Sequence, residues 1–264
     1  LKSALLLWVG MTEEFPLQTL EGIQDFISSV VDDAGASGVV VGLSGGIDSA
    51  LVSRLCADAL GGKKVLNIHM PSDASPREDG MLTESYSRSI GSDYRVVPIQ
   101  GMVDAFDVAL GLDDRLERGN VMARCRMTVL YHFARAGNLL VMGTGNKSEL
   151  LMGYFTKHGD GACDALPIGN LYKTNVWRLA KHLDLPQEII TRAPSADLWE
   201  GQSDEDEMGI SYEELDIILQ GIQDSTSPEE IAEGLEATMA RVMDIEQRVA
   251  ANRHKRHSPP MPGV

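Results

Sequence analysis

Val39-Val40-Val41-Gly42-Leu43-Ser44-Gly45-Gly46-Ile47-Asp48-Ser49 is the stretch from which the fold can be read. Three consecutive β-branched residues without polar alternation describe a short strand buried on both faces, as in parallel sheets covered by helices on either side. The glycine-rich turn then runs into residues 50–60, where Leu51, Leu55 and Ala59 recur at helical spacing. A strand, a glycine turn and a helix N-terminus make an anion site: glycines admit close backbone approach, amides converge, and the helix end carries positive potential. Ser44 and Ser49 offer hydroxyl donors. Asp48 stands apart, because a carboxylate beside a phosphate is repelled unless a cation lies between them; that points Asp48 to Mg2+. The plainer alternative is a tight turn capped by Ser44. The spacing is neither a Walker A loop nor the G-x-G-x-x-G dinucleotide fingerprint.

Outward from this stretch, Leu17, Leu20, Ile23, Ile27 and Val30 predict a helix over 17–31, stopped by Gly35 and Gly38. Apolar runs at 65–70, 94–99 and 139–143 read as further strands, and 78–90, 102–110 and 119–136 as the helices between them. Strands alternating with helices predict crossover connections and a doubly wound parallel α/β sheet. Beyond Gly153 the strands stop. A glycine- and acid-rich loop over 159–170 precedes helices at 175–183, 212–219, 228–233 and 236–251, so a helical C-terminal extension is expected. The expected division is a leader over 1–10 outside the native fold, with Met11 as the start, then a single domain over 11–264. The proline-containing tail 258–264 reads as extended.

The chain has 264 residues, with 39 Asp plus Glu against 23 Lys plus Arg, a net charge of −16. That balance speaks against a nucleic-acid or anionic-membrane surface. It leaves room for a polyanionic small substrate where a few cations override the field. Cys56, Cys125 and Cys163 show no C-x-x-C spacing, which fits a reduced, cytoplasmic setting. No apolar run reaches membrane-spanning length. Met122, Cys125, Val129 and Phe133 form a helical core stripe. His69 and His132 have no metal-ligand spacing, and the acid run 204–207 reads as solvated.

Ser44-Gly45-Gly46-Ile47-Asp48-Ser49 resembles the SGGxDS loop of the N-type ATP pyrophosphatases, which cleave ATP to AMP and pyrophosphate while activating a substrate. That loop alone leaves GMP synthetase-like, argininosuccinate synthetase-like and tRNA-modifying activities open. Later segments narrow the choice. Gly143-Thr144-Gly145-Asn146-Lys147-Ser148-Glu149 follows the fourth expected strand, where parallel sheets bind ligands. Gly153-Tyr154-Phe155-Thr156-Lys157-His158-Gly159-Asp160-Gly161-Ala162-Cys163-Asp164 resembles the GFFTKxGDGxxD segment of the ammonia-dependent NAD synthetases. Ala193-Pro194-Ser195-Ala196-Asp197-Leu198 resembles their APTADL segment, with serine for threonine. The same family's NxxARxRM and HKR segments are resembled by 120–127 and by His254-Lys255-Arg256.

This resemblance, running from about Leu17 to Pro260, implies an adenine nucleotide alpha hydrolase-like fold and the amidation of deamido-NAD by ammonia through an NAD-adenylate. By motif position it implies that 42–49, Thr144, Lys173 and Ser195 bind ATP. It likewise assigns Asp48 and Glu149 to Mg2+, and Arg124, Lys157, Asp164, His254 and Lys255 to deamido-NAD. Asp48, Lys173 and Asp164 are the expected catalytic residues, Asp164 through electrostatic help to ammonium. Each has a plain alternative: a first-turn acid at Glu149, surface charge at Lys173, an intrahelical pair at Arg124, a basic helix end at His254 and Lys255. Segments around 159–161 and 201–209, with His254 and Lys255, are the expected cover against water. The segment ahead of the first strand is too short for the glutaminase domain of glutamine-dependent relatives, so ammonia is the expected donor. The resemblance also implies a homodimer, with the 17–31 and 119–136 helices as contact surfaces. The competing readings are a tRNA-thiolating or amidating relative, which would want paired cysteines and a basic surface, and a non-catalytic nucleotide sensor.

Overall fold

The computed structural model describes residues 17–195, 198–199, 201–235 and 238–262. The expected leader over 1–10 and Met11 lie outside the described residues, as do Ala196 and Asp197. Four strands, β1 (Gly38–Gly42), β2 (Val65–His69), β3 (Asp93–Val96) and β4 (Leu139–Met142), form one parallel sheet in the order β3-β2-β1-β4. The chain steps from β1 outward to β3, then returns to place β4 on the other side of β1. The sheet therefore has its topological switch point between β1 and β4, where open α/β sheets bind ligands.

The triple valine is covered as its composition requires. Val39 and Val41 point into one core with α1 (Leu17–Asp33), α2 (Ile47–Leu60), α7 (Lys173–His182) and α8 (Gln187–Ile190). Val40 points into the other, with Ile68, Val141 and residues of α4 (Gln100–Leu110) and α5 (Arg115–Gly137). Alternate side chains on opposite faces are the period-two signature of a strand, and both faces here are dry. The expected stripe on α5 holds: Met122, Cys125 and Val129 are buried, with Phe133 against them. Asn67, inside β2, is accommodated because its side chain bonds Ser53 (2.8 Å), Ser87 (3.0 Å) and Ser92 (2.8 Å), tying α2 and α3 (Glu78–Ser89) to the sheet.

A third core holds the C-terminal helices α10 (Tyr212–Gln223), α11 (Pro228–Leu235) and α12 (Met239–Ala251), with Met152 of α6 (Lys147–Met152) and Met208 of α9 (Asp204–Met208). Residues 236 and 237 of the expected last helix lie outside the described residues; α12 starts after Thr238, whose side chain caps it. Among the described residues no helix is long and apolar enough to cross a membrane.

Candidate active site

Three residues far apart in the chain meet above the switch point. Asp48 lies in the first turn of α2, Glu149 in the first turn of α6, and Lys173 opens α7. Lys173 Nζ donates to Asp48 Oδ2 at 2.5 Å and stands 3.6 Å from Glu149 Oε1. The lysine is 2% exposed. Surface charge is therefore the wrong description of Lys173, and so is an isolated first-turn acid for Glu149.

Each member is held from behind. Asn146 caps α6: its Oδ1 accepts from the Glu149 amide (3.0 Å), and Glu149 Oε2 accepts from the Asn146 amide (3.2 Å), a reciprocal capping box. The same Asn146 donates through Nδ2 to Asp48 Oδ1 at 2.9 Å, so one amide side chain aligns both carboxylates. Behind Lys173, Asp216 of α10 accepts from the Ser148 hydroxyl and, at 2.9 Å, from the Thr174 amide. Ser148 Oγ also accepts from the Lys173 amide at 3.0 Å. The C-terminal helical layer thus sets where α7 begins and where its lysine points.

Burial works against charge on Lys173, but Asp48 and Glu149 outweigh it and hold the ammonium above its ordinary range. For Glu149, burial and then the neighbouring Asp48 push the carboxyl well above the usual range, and Lys173 only partly offsets them. A third carboxylate adds to the excess. Asp204, the first residue of α9, is 4% exposed. Its Oδ2 accepts from Tyr212 Oη at 3.2 Å, while its buried Oδ1 has no hydrogen-bond partner among the described residues. The solvated reading of 204–207 is thus corrected for Asp204: the fold places it behind Lys173, whose charge draws its raised pKa back down against burial. Glu205 and Glu207 are also engaged, accepting from the Tyr212 amide (2.8 Å) and Tyr154 Oη (2.6 Å).

The phosphate loop is braced internally. The Ser44 amide donates to Ser49 Oγ (3.2 Å), Ser49 Oγ donates to the Gly46 carbonyl (3.0 Å), and the Gly46 amide donates to Ser44 Oγ (3.2 Å). Ser49 therefore spends its hydroxyl proton on the loop. The N-cap of α2 is Gly46, with no side-chain cap on the helix; Ser44 closes the turn through the Gly46 amide, as the plainer alternative has it, and the helix end itself is left without a side-chain cap. Gly45 has φ +96°, and a Cβ there would lie 2.9 Å from Arg192 Nη1. Arg192 itself grips buried Asp79 through two bonds of 2.6 and 3.1 Å, which pins the 192–195 segment against the loop.

A cavity of about 490 Å3 opens over the loop, a size suited to a small-molecule substrate. Asp48, Glu149, Lys173, Thr144, Ser195 and Lys255 all line it, together with the loop residues other than Gly45. Arg124, Lys157, Asp164 and His254 lie outside that lining. Arg124 donates to the Lys157 carbonyl (3.3 Å), and Lys157 Nζ to the His254 carbonyl (3.2 Å), forming an outer chain. Asp164 accepts from the Val141 amide (2.8 Å) and from Tyr131 Oη (3.2 Å) at the sheet edge. Lys255 holds the carbonyls of Gly153 (2.7 Å) and Phe155 (2.8 Å).

The donor chemistry suits a hard divalent cation. Asp48, Glu149 and Asp204 outnumber the ammonium of Lys173 in their cluster, and Mg2+ characteristically takes one or two protein carboxylates and completes its shell with phosphate and water. Among the described residues no group of three or more His, Cys, Asp or Glu side chains is placed to hold a metal ion.

The sequence profile described as NAD synthase matches residues 19–259. An NH3-dependent NAD+ synthetase of Methanosarcina mazei is 46% identical over 244 residues, 91% of this chain and 95% of the relative. An NMN synthetase of Francisella tularensis superposes with a TM-score of 0.83 at 34% identity, covering 96% of this chain and all (100%) of the other. An NH3-dependent NAD synthetase of Campylobacter jejuni superposes with a TM-score of 0.80 at 32% identity, covering 94% and 98%.

Proposed function

The chain belongs to the NAD synthase family of ligases, and from that premise we propose that it converts deamido-NAD and ammonia to NAD, splitting ATP into AMP and pyrophosphate. In the first step a nicotinate carboxylate oxygen bonds to the α-phosphorus as the bond to pyrophosphate breaks, giving an acyl-adenylate. Ammonia then attacks the acyl carbon, loses a proton, and AMP leaves. The observation that carries this reading is the convergence of Asp48, Glu149 and Lys173 beside an uncapped helix end at the switch point.

Each residue's task follows from its surroundings. The loop amides and the α2 terminus hold the phosphates, with Thr144 and Ser195 as hydroxyl contacts along the cavity. Lys173, kept cationic by its neighbours, meets the charge that develops on departing pyrophosphate. Asp48 and Glu149 are the residues that would hold Mg2+. When bound, the ion supplies the positive charge that lets two anions approach. Asp204 and Asn146 are positioning residues. Arg124, Lys157, Asp164, His254 and Lys255 are assigned to deamido-NAD, whose bulk extends past the cavity to the outer chain. Residues 159–161, 201–209 and His254–Lys255 remain the proposed cover; Gly159, Gln202, Glu207 and Lys255 already line the cavity.

A homodimer belongs to the same proposal. Met102, Phe106 and Leu110, spaced along one face of α4, are 39%, 47% and 64% exposed, and Leu116 at the start of α5 is 54% exposed. The contact surfaces proposed are those the resemblance implies, α1, where Phe26 is exposed, and α5, with the exposed apolar face of α4 added to them.

Incubation with ATP, Mg2+, deamido-NAD and ammonium should yield NAD, AMP and pyrophosphate; ADP as product would refute the reaction. Glutamine in place of ammonium should support little turnover. The likeness to an NMN synthetase favours one second reading, in which nicotinate mononucleotide is the acid amidated. Comparing kcat/KM for the two acids decides between them.

A further inference from the structure

We propose that His69 reads the 6-amino group of the adenine ring, and so selects ATP over 6-oxo purine nucleotides; the inference rests on the nucleotide reading of the cavity. His69 ends β2, is 4% exposed, and lines the cavity wall. Its Nδ1 lies 3.1 Å from the Leu43 carbonyl oxygen. A carbonyl can only accept, so Nδ1 carries the proton, and whenever the ring is neutral Nε2 is a bare acceptor.

Among the described residues no hydrogen bond to Nε2 is present, and the sealed side-chain atoms without partners are Tyr172 Oη, Thr174 Oγ1 and Asp204 Oδ1. Nε2 therefore opens to the cavity. The ring cannot drift, because the backbone on both sides is fixed: the Leu43 amide donates to the Ile68 carbonyl (2.9 Å), and the Val97 amide to the His69 carbonyl (2.8 Å).

The surroundings say which part of a nucleotide lies here. The acidic cluster and Lys173 occupy the phosphate end. Met70, Met127 and Leu130 are apolar members of the cavity lining that His69 shares. Gly42 packs there as well: its Cβ position is 3.1 Å from Met70 Cε and 3.4 Å from Leu130 Cδ1. A flat base suits this wall and phosphates do not. An acceptor on it takes a proton from the amino group of adenine. It faces lone pair to lone pair against the 6-oxygen of inosine or guanosine. Arg126, on the same wall, donates through Nε to the Met70 carbonyl at 3.2 Å and is a donor only, so it cannot substitute for His69.

The test is calorimetric binding of ATP, purine riboside triphosphate, which lacks the amino group, and inosine triphosphate, to the wild-type chain and to His69→Phe and His69→Gln. Wild-type affinity should fall about tenfold on losing the amino group and further with the 6-oxygen. His69→Phe should bind ATP and purine riboside triphosphate alike, while His69→Gln, whose amide oxygen still accepts, should keep most of the gap. Equal wild-type affinity for the three nucleotides overturns the assignment. So does an undiminished gap in His69→Phe. If neither variant folds, the wild-type comparison alone decides. Failure of the chain to make NAD from ATP would count against the proposed reaction and not against His69, because the gap is read from binding.

Discussion

Replacing Lys173 by methionine keeps the side chain's length and removes its charge. The ammonium pairs with Asp48 at 2.5 Å and faces Glu149 at 3.6 Å. Deleting one partner of a buried ion pair costs about 3–5 kcal/mol, because the remaining charge is left uncompensated. The two carboxylates keep 18% and 17% of their side-chain surface, which places the cost near the lower end, about 3 kcal/mol. For a chain of this size that corresponds to a Tm lower by roughly 6–12 °C. The penalty should depend on pH in a defined direction. Burial and Asp48 already raise Glu149 to about 8, and losing Lys173 raises it further, so below about pH 8 both proteins keep that proton and the gap between them, set by the lost pair with Asp48, stays level. Above it the wild type ionises Glu149 beside its ammonium, whereas the variant must go on holding the proton or bear an unpaired charge. Thermal unfolding of both proteins from pH 5 to 9 without Mg2+ should show a gap that is level at first and widens above about pH 8. A constant gap, or none, would refute the claim that Lys173 is the counter-cation of this cluster. Pyrophosphate release should fall by a factor of about 10^2–10^3 at any pH.

Asp204→Asn should preserve the fold and lower kcat more than it changes KM for ATP, since Asp204 acts behind Lys173; an unchanged kcat would return it to a purely structural role. In the wild type without Mg2+, Glu149 binds its proton more tightly folded than unfolded, so stability should fall as pH rises from the ordinary carboxylate range towards the raised value. Added Mg2+ should reverse that slope; a metal-independent slope would remove Glu149 from the ion. Gly45→Ala combines an unfavourable φ of +96° with a Cβ 2.9 Å from Arg192 Nη1, and should cost about 1–3 kcal/mol in chemical denaturation. Phe106→Glu should shift the sedimentation profile from dimer to monomer if α4 is the contact surface; an unmoved dimer would place the interface elsewhere.

The central sheet was legible because burial on both faces leaves a run such as 39–41 with nowhere polar to turn, and the neighbouring glycines mark where it stops. The long helices announced themselves by period. The short ones, α6, α8 and α9, did not, since helices of four to six residues are held by caps and contacts rather than by a repeating stripe. The sequence did hold one clue to α6: Asn146 followed three residues later by Glu149, the capping-box spacing. Strand β3 ends at Val96 instead of 99, because Pro98 has no amide to donate to the ladder. Asp48 and Glu149 were readable as a pair because both follow the carboxyl ends of expected parallel strands, and the resemblance strengthened the pairing; no local rule joins residues on α2 and α6. Asp204 was missed for a related reason. A carboxylate in a run of acids looks solvated until a distant lysine gives it a place indoors, and the only local hint was Ser203, which caps α9.

The brace from Asp216 through Ser148 and Thr174 to Lys173 has a consequence for how the molecule comes into being. The glycine turn leaves the ribosome with the first strand, whereas its lysine follows 125 positions after Asp48 and is set in place only once α10, later still, has been made. The loop and its lysine therefore come together only once the C-terminal helices have packed.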